Sequence, residues 1–124
     1  MNKKEVLIVD DHAELRKLVR MTLEYDDYAI AEADSGDRAL ERLGKSRPDV
    51  VILDVMMPGK LDGYQVCERI KSDSALSGTH VVLLTARGQK ADIERGRQAG
   101  ADSYLVKPFS PLELIETVER ALAN

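Results

Sequence analysis

Five times along this chain a short apolar run is followed by a segment of helical periodicity, and that alternation limits the possible folds more than any other feature. Glu5-Val6-Leu7-Ile8-Val9 is too short for a helix and too apolar for an exposed edge, so it reads as a buried parallel strand stopping at Asp10-Asp11. Leu15, Leu18, Val19, Thr22 and Leu23 then recur at helical spacing and predict an amphipathic helix ending near Tyr25-Asp26-Asp27. A weaker strand follows at Tyr28 to Glu32. Ser35-Gly36-Asp37 opens a second helix with Ala39, Leu40 and Leu43 on its apolar face, and Arg47-Pro48 breaks it. Asp49 to Leu53 is the most apolar strand.

Beyond a loop containing Pro58, Gly59 and Gly63, a third helix is expected from Tyr64 to Lys71, with Val66 and Ile70 four residues apart and Asp62 with Gln65 resembling a capping box. Val81 to Leu84 is the fourth strand. The helix after it, about Lys90 to Ala99, is weak, because Gly96 inside it costs about 1 kcal/mol relative to alanine. Ser103 to Val106 is the fifth strand. Ser110-Pro111-Leu112-Glu113 starts the last helix with an N-cap serine, a proline at the first helical position and a glutamate two residues on, and Ile115, Val118 and Leu122 are its expected core face.

Successive strand-then-helix units without long linkers demand a parallel sheet covered on both sides, and right-handed crossovers make it a doubly wound α/β fold. At 124 residues the expectation is one compact domain over 1–124, with nothing after the fifth helix to form an output domain. The runs are too short to span a bilayer, and Met1-Asn2-Lys3-Lys4 leads into a strand instead of a signal-peptide core, so a cytoplasmic location is expected. Net charge of −4 argues against a surface dedicated to nucleic acid, and Arg16, Lys17 and Arg20, interleaved with acids, read as a solvated face. The single cysteine, Cys67, excludes an internal disulfide and reads as a buried helix residue.

In such sheets ligands bind at the carboxyl ends of the strands. Strand one ends in Asp10-Asp11, strand three in Asp54, strand four in Thr85-Ala86 and strand five in Lys107-Pro108. Each has an ordinary explanation alone: Asp11 with Glu14 could cap the first helix, Thr85 could be a β-branched strand end, Lys107 a solvated lysine. Together they point to a site, since packing has no need of three neighbouring carboxylates. Their repulsion requires protons or cations, and oxygen ligands suit Mg²⁺. If Asp54 lies on the strand beside strand one, its oxygen can ligate metal and attack phosphorus. The isolated His12 and His80 lack zinc-like spacing and read as surface or loop residues.

These residues resemble response regulator receiver domains, the family that includes the chemotaxis regulator. The likeness rests on Val-Asp-Asp at 9–11, Leu-Asp-Val-Met-Met-Pro-Gly at 53–59, Asp62-Gly63, Leu-Thr-Ala at 84–86, Ala-Gly-Ala-Asp at 99–102 and Leu-Val-Lys-Pro-Phe at 105–109. It implies a flavodoxin-like (βα)5 fold of strand order 2-1-3-4-5. It implies that Asp54 is the phosphoacceptor, that Asp11, Asp54 and the Met56 carbonyl bind Mg²⁺ directly with Asp10 acting through metal-bound water, and that Thr85 and Lys107 hold the phosphoryl oxygens. The donor is then a phosphohistidine on a sensor histidine kinase or histidine phosphotransfer protein. A cis Lys107-Pro108 peptide is implied too, and so is a switch in which Thr85 moves and Tyr104 turns inward, altering the face of helix four, strand five and helix five for an output partner or a homodimer. Met56 and Arg87 sit where the family tunes phosphoryl loss. One departure concerns the loop: Lys60 and Leu61 lie between Gly59 and Asp62, where the family usually has one residue.

Three rivals share parts of this pattern. A flavin carrier needs a phosphate loop rich in Ser, Thr and Gly after strand one, and Asp10-Asp11-His12 would repel that phosphate. An aspartyl phosphatase of the haloacid dehalogenase type needs a second aspartate where Met56 stands. A receiver-like module that is never phosphorylated typically lacks one of the five key residues, all present here.

Overall fold

The computed structural model describes residues 3–57, 59–86 and 90–123. In chain order the elements are β1 (Lys4–Val9), α1 (Ala13–Leu23), β2 (Tyr28–Ala33), α2 (Gly36–Leu43), β3 (Val50–Asp54), α3 (Gly63–Ser72), β4 (His80–Thr85), α4 (Lys90–Gln98), β5 (Ser103–Val106) and α5 (Pro111–Leu122). All pairings are parallel and the sheet order is β2-β1-β3-β4-β5, as the resemblance implies. The boundaries differ from the sequence expectation by a few residues at most. Pro58 and Arg87, both singled out in the sequence, lie outside the described residues.

The sheet separates two cores. One face packs Leu7, Val9, Val51, Leu53, Val81 and Leu83 against α2, α3 and Ala99; the other packs Val6, Ile8, Val50, Ile52, Val82 and Leu84 against α1 and α5. Alternate residues of each strand thus point to opposite cores, which is why these strands are apolar throughout. Every residue of β3 is buried, as its central place requires.

Both predicted capping boxes are present: Asp62 with Gln65 starts α3, and Ser110 with Glu113 starts α5 behind Pro111. The Asp11–Glu14 box is not. His12 occupies the N-cap of α1 without a side-chain cap, because Asp10 Oδ1 takes the His12 N–H at 2.8 Å. Two apolar faces are corrected as well. Leu18 faces solvent, leaving Val19, Leu23 and the packed Leu15 to carry the core side of α1. In α5 the buried residues are Leu114, Thr117, Val118 and Ala121, so Ile115 is only half-buried and the face is turned by one position.

Gly96 has a reason beyond weak helix propensity. A Cβ there would stand 2.9 Å from Tyr104 Cε1 and 3.0 Å from Leu83 Cδ1, so its absence lets the Tyr104 ring lie directly on α4. Tyr64 and Arg95 tie α3 to α4 on the same side, the guanidinium 4.5 Å over the ring. Cys67 is buried as expected, and burial pushes its thiol up to about 11.

Candidate phosphoryl and metal site

β1 and β3 pair with Val9 opposite Leu53, so the residues that follow, Asp10 and Asp54, come side by side at the end of adjacent strands. β4 and β5 pair with Thr85 opposite Val106, which starts Lys107 two strands from Asp54. The Lys107 N–H donates to the Thr85 carbonyl at 2.7 Å, and the Lys107–Pro108 peptide is cis, as the resemblance implies. The lysine stem spans the gap: Nζ is 3.2 Å from Asp54 Oδ1 and 3.5 Å from Asp10 Oδ2. Asp10 and Asp54 are almost wholly buried, while Lys107 keeps about a quarter of its side chain in solvent.

Among the described residues the Lys107 ammonium thus faces two buried carboxylates, with that of Asp11 close by. Burial is the first cause that pushes the Asp54 carboxyl above its ordinary range, and the charge of Asp10 adds to it; Lys107 and the Met56 N–H, 3.4 Å from Oδ1, oppose them. Asp11 Oδ1 is buried and, among the described residues, accepts no hydrogen bond. Asp10, Asp11, His12 and Asp54 each offer one ligand atom within 4.8 Å of the others. Ligands on opposite sides of a Mg²⁺ ion stand about 4.2 Å apart, twice a bond of about 2.1 Å. The donor set, its residual negative charge and the unsatisfied Asp11 oxygen fit a divalent cation.

The remaining predicted residues fall around this cluster. Thr85 is buried at the end of β4, and Met56 lies just beyond Asp54 with an exposed side chain. Tyr104 is farther off, half-buried on β5 against α4. The loop with the extra residue folds back on the site: Gly59 has φ +102°, the Gly63 N–H donates to the Val55 carbonyl, and Leu61 packs into the first core. Lys60 is exposed, so the longer loop sets a half-buried Leu61 against the core and leaves Lys60 in solvent. Gly63 itself admits no side chain, since a Cβ would stand 2.7 Å from Val55 Cα and closer still to the Asp54 carbonyl.

Two contributors were not legible as such. Arg16, read as part of a solvated face, is largely buried; its Nη1 donates to the Asp10 carbonyl at 2.7 Å and its Nε to Glu32 at 3.1 Å. Arg20 grips the same carboxylate at 2.6 Å. Burial pushes Glu32 up, but the two arginines outweigh it and hold its carboxyl below the ordinary range. His12, read as a surface residue, is indeed exposed, yet its Nδ1 lies 3.1 Å from Asp10 Oδ1 and 3.3 Å from Asp11 Oδ1. Its position two residues after Asp10 was the available signal.

Comparison with known proteins agrees with this geometry. The family model described as "Response regulator receiver domain" matches residues 6–119. The chain is 44% identical over 121 residues to the transcriptional regulatory protein ResD of Bacillus subtilis, covering 98% of this chain and 49% of ResD. The crystal structure of a putative response regulator from Chloroflexus aurantiacus superposes with a TM-score of 0.93 at 36% identity, covering 99% of this chain and all of that one. The chemotaxis response regulator CheY4 of Vibrio cholerae follows with a TM-score of 0.91 at 34% identity, covering 98% of this chain and all of that one. The chain spans about half the length of the curated relatives it matches.

Proposed function

The chain belongs to the response regulator receiver family of two-component signalling, and on that premise we propose that Asp54 accepts a phosphoryl group from a phosphohistidine donor with Mg²⁺ at the Asp10–Asp11–Asp54 cluster. The observation that carries this reading is the Lys107 ammonium held 3.2 Å from the buried Asp54 oxygen beside a second buried carboxylate. The Asp54 oxygen forms a bond to phosphorus as the phosphorus–nitrogen bond to the donor imidazole breaks, giving an acyl phosphate. Lys107 then holds a phosphoryl oxygen, having exchanged a carboxylate partner for a more highly charged one. Thr85, at the neighbouring strand end, supplies its hydroxyl to another. Asp11, Asp54 and the Met56 carbonyl are the ligands we assign to the cation, with Asp10 acting through metal-bound water; when bound, the ion neutralises the charge gathered by carboxylates and phosphoryl oxygens.

The signal leaves through Thr85 and Tyr104. Tyr104 lies on Gly96 of α4, so a change at the end of β4 reaches the face formed by α4, β5 and α5, which we assign to output contacts or a homodimer. In this reading residues 1–124 are one domain, a phosphoacceptor switch and not an enzyme acting on a separate substrate, and it works in the cytoplasm. Among the described residues no helix is long and apolar enough to cross a membrane. A sensor histidine kinase or histidine phosphotransfer protein is the donor. ResD is named a transcriptional regulatory protein; the acidic balance of this chain argues against a surface of its own dedicated to nucleic acid.

The test is incubation with a small phosphodonor and Mg²⁺ followed by intact mass. The wild type gains one phosphoryl group and Asp54→Asn gains none. Equal labelling of both proteins defeats the reading.

A further inference from the structure

We infer that His12 is a nitrogen ligand that extends the acidic site from Mg²⁺ to borderline transition ions, of which Ni²⁺ and Cu²⁺ are the clearest cases. The inference rests on the reading above that the aspartate cluster holds a divalent cation. It adds a residue and an ion class that the oxygen-only set does not include.

The placement comes from the turn. His12 has extended backbone, φ −89° and ψ 109°, and its N–H is pinned to Asp10 Oδ1 at 2.8 Å. This directs the ring back over the acids instead of along α1, where it makes no cap. Nδ1 then sits between two carboxylates, 3.1 Å from Asp10 Oδ1 and 3.3 Å from Asp11 Oδ1, and a ring nitrogen lies within 4.8 Å of an Asp54 oxygen. The second of these approaches is no hydrogen bond, since Asp11 Oδ1 accepts none among the described residues. The first is a hydrogen bond that holds the ring against Asp10, so an imidazole and an unsatisfied Asp11 oxygen share one small volume. With 68% of its side chain exposed, the imidazole can move the few tenths of an ångström that ligation asks without disturbing a core.

The consequence depends on the ion. Mg²⁺ binds carboxylate and water oxygens and gains little from an imidazole, whereas Ni²⁺ and Cu²⁺ bind imidazole well and stand high in the general order of affinity. If His12 served only as a counter-charge to the aspartates, it would weaken every divalent cation alike.

Isothermal titration of the full chain at about pH 8, where an ordinary imidazole is neutral, with Mg²⁺, Ni²⁺ and Cu²⁺ separates these cases. For His12→Ala we expect Ni²⁺ and Cu²⁺ affinity to fall about tenfold or more while Mg²⁺ affinity stays within about twofold. The Cu²⁺ electron paramagnetic resonance spectrum should show imidazole nitrogen coupling in the wild type that His12→Ala loses and His80→Ala, at the other end of the sheet, retains. Unchanged Ni²⁺ and Cu²⁺ affinity in His12→Ala, or an equal change for all three ions, overturns the inference. Asp11→Asn tests the parent reading separately: if it leaves Mg²⁺ binding untouched, the aspartate cluster is not the cation site, whatever His12 does.

Discussion

At the amino ends of the strands Lys71 is answered on every side, donating to Asp102 Oδ2 at 2.7 Å and to the Thr79 carbonyl at 2.7 Å. At the carboxyl ends Lys107 meets Asp10 and Asp54, which cluster with a third carboxylate, Asp11. Each lysine joins segments distant in sequence, and each is about three-quarters buried or more, but the groups around them balance differently. At the Lys71 end, Asp102 also accepts the Val81 N–H at 2.9 Å and Thr79 donates its hydroxyl to the Pro48 carbonyl at 2.8 Å, so the polar groups satisfy one another. At the Lys107 end a buried oxygen of Asp11 accepts no hydrogen bond among the described residues, and Asp54 is pushed toward its protonated form. The satisfied end adds to stability, whereas the unsatisfied end holds stability back, which is the charge imbalance that the function proposed above would use.

Removing charge should therefore act with opposite sign at the two ends. The largest effect is expected from Lys71→Met, which strands the Asp102 carboxylate and two carbonyls. Partial exposure of Asp102 tempers the cost to about 2 kcal/mol of unfolding free energy, read as a lower urea midpoint at unchanged slope. A neutral or stabilising result would erase the contrast between the ends.

Asp54→Asn should do the reverse. The folded-state pKa of Asp54 is raised, so the stability tied to its protonated form is present below the ordinary value of 3.8 and is lost as pH rises through the raised one. Asparagine escapes that loss. Without divalent ions the variant should be more stable than the wild type by about 1–2 kcal/mol at neutral pH, and the gap should close as the pH is lowered toward 4. Urea midpoints across that range decide it; a variant less stable than the wild type at neutral pH would mean that Lys107 outweighs burial and Asp10.

The smallest effect concerns His80, whose Nε2 meets Ser103 Oγ at 2.8 Å. Burial is the leading cause that lowers its pKa, with Lys71 adding and Asp102 opposing. A lowered pKa contributes stability that is present above the ordinary value of 6.5 and lost as pH falls below it. In His80→Gln the decline in stability between about pH 7 and 5 should be shallower than in the wild type by under about 1 kcal/mol. Parallel pH profiles would show that the His80 ring titrates as it does in the unfolded chain.

The order of elements needed only the sequence, because apolar β-branched runs and helical periodicity are local properties that survive without knowledge of neighbours. The same holds for the capping boxes at Asp62 and Ser110, and for the list of polar strand ends at Asp10, Asp11, Asp54, Thr85 and Lys107. Helix faces were less legible. Leu18 fits the periodicity of α1 yet faces water, since the width of a buried stripe depends on what packs against it.

Tertiary structure decided how those residues meet. Lys107 and Asp10 are 97 positions apart, and only the strand order brings ammonium and carboxylate together. Lys71 and Asp102 had no shared motif to announce them. Gly96, a defect by helix propensity, became a seat for Tyr104 once β5 was laid beside α4. His12 is the sharpest case: two isolated histidines gave no ligand spacing, but the turn after β1 bends one of them onto the acids that precede it. Sequence determined which groups stand at the strand ends; distance and burial, set by the packed sheet, determined their charge balance and hence what they can bind.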